Sequence, residues 1–453
     1  MSLKTGPDVT AADIAHNFLD IAPAMTKAEA FAESSRCLFC YDAPCTIACP
    51  TSIDVPAFIK KINHENTKGA ARVILDANPM GHSCARACPV EVLCEGACVM
   101  NHQESPPISI ARLQRFATDA AIANDWRLFE PGAPTGKKVA VVGAGPAGLS
   151  AAQDLRRAGH DVVVYDAKPK PGGLNTYGIA QYKLKPETAL AEAKMIEDLG
   201  VVIKTNVTIG GSGAHDVSFA ALEQQCDAVF LGVGLGNTQG LGVPGEDLDG
   251  VVDALTFIEH LKTKPYGSFR VPQRVLVIGA GNTAVDAATQ ARRLGAESVS
   301  FVYRRSEHET PAYDYEIDIA KVDGCGFHWL TAPVRVVGEG RVTGLECTKM
   351  ELGEKDASGR RGVKAIKGSE HIIPCDLVIK ALGQSKRVEM LKGVPGLTLD
   401  ATGRVIVNAH GQTSNAKFFA GGDCINGGKE IVNAAADGKR AAREINQFLK
   451  GAR

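Results

Sequence analysis

The chain has 453 residues, 45% hydrophobic and 22% charged, which is ordinary globular composition and enough length for roughly two to four domains. A formal net charge of -1 leaves no electrostatic case for nucleic acid or an anionic membrane surface as partner. No apolar run is long enough to span a bilayer and residues 1–30 carry no signal-peptide core, so a cytosolic protein is expected.

From the N-terminus, residues 1–130 show no strand pattern, and the spacing predicts short helices over Asp54 to Asn63 and Thr67 to Asp76. Of thirteen cysteines, eight fall between Cys37 and Cys98. In a reducing compartment so dense a cluster reads as metal or redox chemistry, not as a disulfide framework. The spacing is Cys37-x2-Cys40-x4-Cys45-x3-Cys49-Pro50, then Cys84-x3-Cys88-Pro89-x4-Cys94-x3-Cys98. Short Cys gaps closed by Cys-Pro resemble ferredoxin-type iron–sulfur ligation, because the proline stops a helix and fixes the backbone beside the ligand. Structural zinc is the alternative, but it needs four tetrahedral ligands per site and these gaps suit it poorly. Eight thiolates suffice for two clusters. Spacing alone does not pair them, and any one, Cys84 included, can be a buried bystander.

A Pro/Gly-rich joint, Glu130 to Gly136, ends that region. An apolar run, Lys137 to Val142, then leads into Gly143-Ala144-Gly145-Pro146-Ala147-Gly148, a helix-like stretch to Ala158, a β-branched run from Asp161 to Tyr165, and Asp166. Strand, glycine turn, helix, strand and acid make a dinucleotide unit. Gly143 makes the turn, Gly145 admits a pyrophosphate, Gly148 lets helix meet strand, and Asp166 would take the adenosine ribose. The helix N-terminus supplies N–H groups for phosphate.

Supporting features follow. Pro171-Gly172-Gly173-Leu174 suits a backbone lying against a cofactor, Asp227 to Gly234 reads as a strand ending in a small-residue turn, and Phe418 to Gly422-Asp423 reads as a strand ending at an acid. A helix over Glu430 to Ile445 would face a flavin with its N-terminus. Together these look like the two-dinucleotide-binding-domain flavoproteins, a resemblance that implies FAD with Asp423 on its ribityl chain.

The same grammar returns at Arg274 to Ile278, Gly279-Ala280-Gly281-Asn282-Thr283-Ala284, a helix to Leu294, and a strand from Ser298 to Tyr303. This unit should bind the nicotinamide nucleotide. No acid ends its second strand. Arg304 and Arg305 stand there instead, and arginine suits a 2′-phosphate, so the pair favours NADPH with NADH left open. Read as bare composition they are two solvated arginines. Neither unit contains a Cys-x2-Cys pair, so a thioredoxin-reductase-like dithiol mechanism has no agent, and no acid–base constellation for a carbon substrate is visible.

The expected fold is therefore α/β: a helical iron–sulfur domain (1–130) followed by two Rossmann-like nucleotide-binding domains. The nicotinamide unit (246–375) is inserted in an FAD unit made of 137–245 and 376–453.

Over its whole length the chain resembles the electron-input subunit shared by iron–sulfur flavoenzymes: the glutamate synthase small subunit, the N-terminal half of dihydropyrimidine dehydrogenase, and its separate bacterial PreT-type form. Ile110-Ala-Arg-Leu-Gln114 carries Gln where the synthase subunit typically has Glu. By residue type alone Gln114 is a solvated helix position; the resemblance makes it a cluster ligand. It implies one 4Fe-4S cluster on Cys37, Cys40, Cys45 and Cys98, a second on Cys49, Cys88, Cys94 and Gln114, and Cys84 as non-ligand. It also implies a basic flavin contact at Lys183, where arginine is commoner, and nicotinamide contacts at Arg304 and Arg305, although PreT-type members are described as NAD-dependent. The implied role is NAD(P)H oxidation in a hetero-oligomer with a PreA-type partner carrying FMN and further clusters, which reduces uracil or thymine. The rivals are the glutamate synthase small subunit, a free-standing diaphorase or ferredoxin reductase, and a redox-inactive assembly subunit.

Overall fold

A computed structural model describes residues 3–6, 8–211, 213, 216–265, 268, 271–355 and 359–451. By packing, the chain forms two compact units. One gathers residues 1–20, 177–182 and 236–385; the other gathers 21–176, 183–235 and 386–453.

The larger unit begins with helices whose ends the sequence marks clearly. Thr26 and Glu29 form a capping box for Lys27–Ser35, Asp54 caps Val55–Asn63, and Asn66 caps Thr67–Ala77. Phe58, Ile59, Ile62, Ile74 and Leu75 project from the last two helices into one core with Leu113 of Ile110–Ala123. Cys45 lies in the short helix Pro44–Ile47 and Cys84 in Gly81–Ala87, and the other six cysteines of the segment sit on loops and turns.

The rest of this unit is a five-stranded parallel sheet in the order Phe418–Ala420, Ala228–Leu231, Lys138–Val142, Asp161–Tyr165, Val202–Lys204. Its central strands are apolar at nearly every position, as burial on both faces requires. Helices Pro146–Arg157 and Ile431–Leu449 pack closely, because a Cβ on Gly438 would fall 2.1 Å from the carbonyl oxygen of Ala147. Such small-residue contact sets the helix that follows the glycine turn directly under the C-terminal helix.

In the smaller unit a second parallel sheet runs Val251–Asp253, Leu377–Lys380, Arg274–Ile278, Ser298–Val302, Gly326–His328. Beside it Arg341–Lys355 pairs antiparallel with Thr331–Glu339, Arg361–Ala365 and His371–Pro374, a meander the sequence reading did not anticipate.

Two segments distant in sequence complete this unit. Ala11–Asn17 docks through Asn17, whose Nδ2 donates to the Arg293 carbonyl at 2.9 Å while Arg293 Nη1 donates to the Asn17 carbonyl at 3.0 Å. Residues 177–182 dock on the helix Asn282–Arg293. Ala180 N donates to Asp286 (3.0 Å), Tyr182 Oη bonds Thr289 (2.8 Å), and the Arg293 guanidinium lies 3.8 Å above the Tyr182 ring. By packing, the described residues of 3–20 belong to this unit.

The fold class expected from the sequence is the one observed: helices carrying the cysteines, then two parallel-sheet nucleotide folds, the second interrupting the first. Among the described residues no helix is long and apolar enough to cross a membrane.

Candidate functional site

The cysteine thiols fall into neighbourhoods that can be read from which charges reach which sulfur. Cys37 feels Cys40 and Cys98, and Cys45 feels Cys37 and Cys98. Cys88 bonds Cys84 and feels Cys94 and Cys49, while Cys94 feels Cys49 and, more weakly, Cys45. Burial raises the Cys37 thiol and pushes Cys45 up to about 11. The bond with Cys84, followed by burial, holds Cys88 well above the usual thiol range, and burial does the same at Cys94. Half-buried groups of soft donors match what an iron–sulfur cluster demands, and bound iron would hold these sulfurs as thiolates. Among the described residues no three His, Cys, Asp or Glu side chains converge on a point that would hold a single metal ion.

Gln114 is not solvated. It is buried, and its Nε2 donates to the Gly81 carbonyl at 2.6 Å. Of the two amide atoms only Oε1 carries a free lone pair, so it is the one able to ligate iron. Cys84, expected as the non-ligand, is buried against Cys88 one helical turn on, in the core shared with the flavin-side sheet.

One residue at this end was not singled out in the sequence. Glu192, on the helix Pro186–Asp198, is buried and accepts bonds from Ser83 N (2.8 Å) and Ser83 Oγ (2.5 Å), next to Cys84. Burial raises its carboxyl to about 7, against those bonds. A lone Glu inside an amphipathic helix gives no sequence signal of such a tie.

At the first glycine turn the geometry follows the roles assigned to each residue. Gly143 has φ +101°, and a Cβ there would meet the Gly232 carbonyl oxygen at 2.4 Å. A Cβ on Gly148 would lie 1.9 Å from the Gly143 carbonyl oxygen. Gly145 opens on Gly173, whose own Cβ would be 2.8 Å from the Gly145 Cα, so the turn and the Pro-Gly-Gly segment approach backbone to backbone. Gly172 N donates to the Ala144 carbonyl at 2.7 Å and locks the two loops together. Pro146 opens the helix, Ala147 is buried beneath it, and Leu174 remains exposed.

Asp166 Oδ2 accepts from Ala144 N (2.7 Å) and Oδ1 from Lys168 N (2.8 Å); burial raises its carboxyl, opposed by those two bonds. Gly234, with φ +61°, faces open space, and Lys183 is buried. Gly422, with φ +76°, precedes Asp423, which accepts from Lys429 N at 3.2 Å and whose carboxyl burial also raises. A cradle of glycines with no room for side chains, rimmed by two half-buried acids, fits an extended dinucleotide such as FAD.

The second turn repeats this in the other unit. Gly279 has φ +120°, and its Cβ would strike the Ala381 carbonyl oxygen at 2.5 Å. Gly281 precedes the helix, Asn282 Oδ1 accepts from Tyr313 N (3.2 Å), and Thr283 leads to the buried Ala284. The arginine pair divides. Arg305 Nε donates to the Arg361 carbonyl at 2.8 Å, whereas Arg304 is exposed at the strand end and forms no ion pair among the described residues.

Two sheets of this topology, each with a glycine turn at the C-terminal end of its central strand, and a thiol-rich helical segment define a flavin- and pyridine-nucleotide-dependent oxidoreductase with an iron–sulfur module. The chain belongs to the pyridine nucleotide-disulphide oxidoreductase family, whose profile matches residues 137–438, and residues 14–126 match dihydropyrimidine dehydrogenase domain II, 4Fe-4S cluster. FAD, NAD(P)H and 4Fe-4S iron–sulfur are accordingly its cofactors. The glutamate synthase [NADPH] small chain of Escherichia coli K12 is 36% identical over 452 residues, covering 96% of this chain and 94% of that one. The NAD-dependent dihydropyrimidine dehydrogenase subunit PreT of the same strain is 35% identical over 437 residues, covering 96% and 98%. Among solved structures, Mycobacterium tuberculosis FprA in complex with NADPH shares the fold, with a TM-score of 0.58 at 22% identity over 70% of this chain and 85% of that one.

Proposed function

We propose that this chain is the electron-input subunit of a dihydropyrimidine dehydrogenase. In this reading electrons from NAD(P)H pass through FAD and two 4Fe-4S clusters to an FMN- and iron–sulfur-containing partner of the PreA type, which reduces uracil or thymine to the 5,6-dihydro base. The domains run 1–130, 137–245 with 376–453, and 246–375. Cys37, Cys40, Cys45 and Cys98 hold one cluster; Cys49, Cys88, Cys94 and the Oε1 of Gln114 hold the other. The first turn, Asp166, Gly172, Gly173, Lys183, Gly234, Gly422 and Asp423 bind FAD. The second turn and Arg304 bind the nucleotide, and Arg304 favours NADPH.

The observation that carries the reading is Gln114: a neutral amide that is buried and anchored through Nε2 to the Gly81 carbonyl. A carboxylate there would add a negative charge to the cluster's surroundings and lower its potential. The 35% identity to the PreT subunit over nearly the full length supports the same assignment. The test is anaerobic titration of the holoprotein with NADH and separately NADPH, followed by uracil in the presence of the copurifying partner. Dihydrouracil formation is expected. Glutamine-dependent turnover of 2-oxoglutarate with a large partner would transfer the chain to the second reading, glutamate synthase small subunit, which the 36% identity to that chain favours.

A further inference from the structure

The Asp166 and Asp423 carboxylates both border the proposed flavin cleft, and FAD brings two more negative charges on its diphosphate. The helix Pro146–Arg157 offers only the partial positive charge of its N-terminus, about half a unit. A formal cation in the same place would strengthen that site, and apart from Lys183 none was singled out in the sequence.

Two adjacent residues do. Lys386 Nζ donates to the Gly427 carbonyl at 3.3 Å, and Gly427 N in turn donates to the Asp423 carbonyl at 2.9 Å, which sets the ammonium beside that acid. Arg387 caps the short helix Val388–Leu391 through its backbone, and its guanidinium reaches Asp166. Protein atoms crowd that guanidinium enough to lower its pKa, yet more than a third of the residue's surface stays open. That combination describes a side chain lining a cleft. Neither cation forms an ion pair within 4.0 Å among the described residues, whereas Arg404 and Arg440 nearby are bound to Asp400 and Asp437.

The adjacency of the two cations, one beside each acid, is what assigns a ligand. Asp166 stands where an adenosine ribose is held and Asp423 where a ribityl chain is held. In FAD the diphosphate joins these two groups, and the pair Lys386–Arg387 joins the two acids. We propose that Lys386 and Arg387 are the cationic half of the FAD site and bind its diphosphate, with Arg387 as the geometric clamp and Lys386 as a point charge. The proposal depends on FAD and not on which partner accepts the electrons.

The test uses the full chain with flavin removed and FAD rebinding followed by flavin fluorescence. R387Q should raise the FAD dissociation constant roughly 10- to 100-fold and K386Q roughly 3- to 10-fold. R387K should recover part of the loss. ADP, which carries the diphosphate, should compete with FAD on the wild-type protein and lose that competition in R387Q. Iron content, acid-labile sulfide and thermal unfolding of the flavin-free protein should match wild type. A K386Q/R387Q double variant that binds FAD within about twofold of wild type, with unchanged ADP competition, overturns the proposal. A check needing no variant is salt: ADP binding to the wild type should weaken as ionic strength rises, and salt-independent binding would equally refute it.

Discussion

The two glycine turns are built to one plan, and two of the places where they diverge have a visible physical consequence. Each follows a five-residue parallel strand and opens a twelve-residue helix. Gly143 and Gly279 both have positive φ, and a Cβ on either would strike a carbonyl oxygen beyond the neighbouring strand, Gly232 at 2.4 Å and Ala381 at 2.5 Å. The first glycine is therefore imposed by the crossing of turn and sheet, whatever nucleotide is bound. At the third glycine the turns part. Gly148 lies so close to the Gly143 carbonyl that no Cβ fits, while the second turn has Ala284, fully buried and accommodated. They part again at the end of the second strand, where Asp166 holds Ala144 N and the other unit presents Arg304. Shared positions report the fold; divergent ones report the ligand and how tightly helix and strand pack.

The largest effect should come from carrying the second turn's residue into the first. G148A places a Cβ 1.9 Å from a backbone oxygen, which only a shift of helix or turn relieves. FAD affinity should fall at least about 100-fold, and the protein should purify largely colourless in the flavin band. The reciprocal change, A284G, removes one buried methyl and loosens a helix. It should cost about 1 kcal/mol of stability by thermal unfolding and leave nucleotide affinity within about threefold. If both variants behave alike, the difference between the turns has no consequence. D166A comes between them. It strands the Ala144 and Lys168 N–H groups and should weaken FAD roughly 10- to 100-fold without disturbing NAD(P)H binding, measured by fluorescence titration of each.

What could be read from the sequence follows the same division. Strands Lys138–Val142, Asp161–Tyr165 and Arg274–Ile278 were legible because continuous apolar runs end in glycine turns. The cysteine segment was legible because thiols at such spacing have few other uses. The antiparallel strands were not: Arg361–Ala365 and His371–Pro374 are half exposed, and their residues alternate too weakly to mark a face. Nor was the docking of Ala11–Asn17, which joins one buried amide exchanging bonds with Arg293 to only a single apolar pair, Ile14 and Phe18, too short a stripe to mark a face. Gln114 shows the limit most plainly. A polar residue type predicts exposure, and only tertiary packing on Gly81 reverses it. Lys386 and Arg387 could have been noticed as a basic pair just past a strand-and-glycine turn, but nothing local distinguishes them from a solvated pair.

The smallest expected effect tests the other divergence, at the strand end facing the nicotinamide nucleotide. Arg305 is spent on the Arg361 carbonyl, so R305A should change the KM for NADH and NADPH by similar, modest factors, about twofold. Arg304 is exposed, and if it meets a 2′-phosphate as proposed, R304A should raise the KM for NADPH roughly 10-fold while leaving NADH almost unchanged. The ratio of the two effects matters more than either size, since a loss of packing would raise both constants together. Equal loss with both nucleotides in R304A would mean that Arg304 reads the shared diphosphate or ribose. The unit would then discriminate NADPH from NADH, if it does so at all, through residues other than the pair that stands where its twin has Asp166.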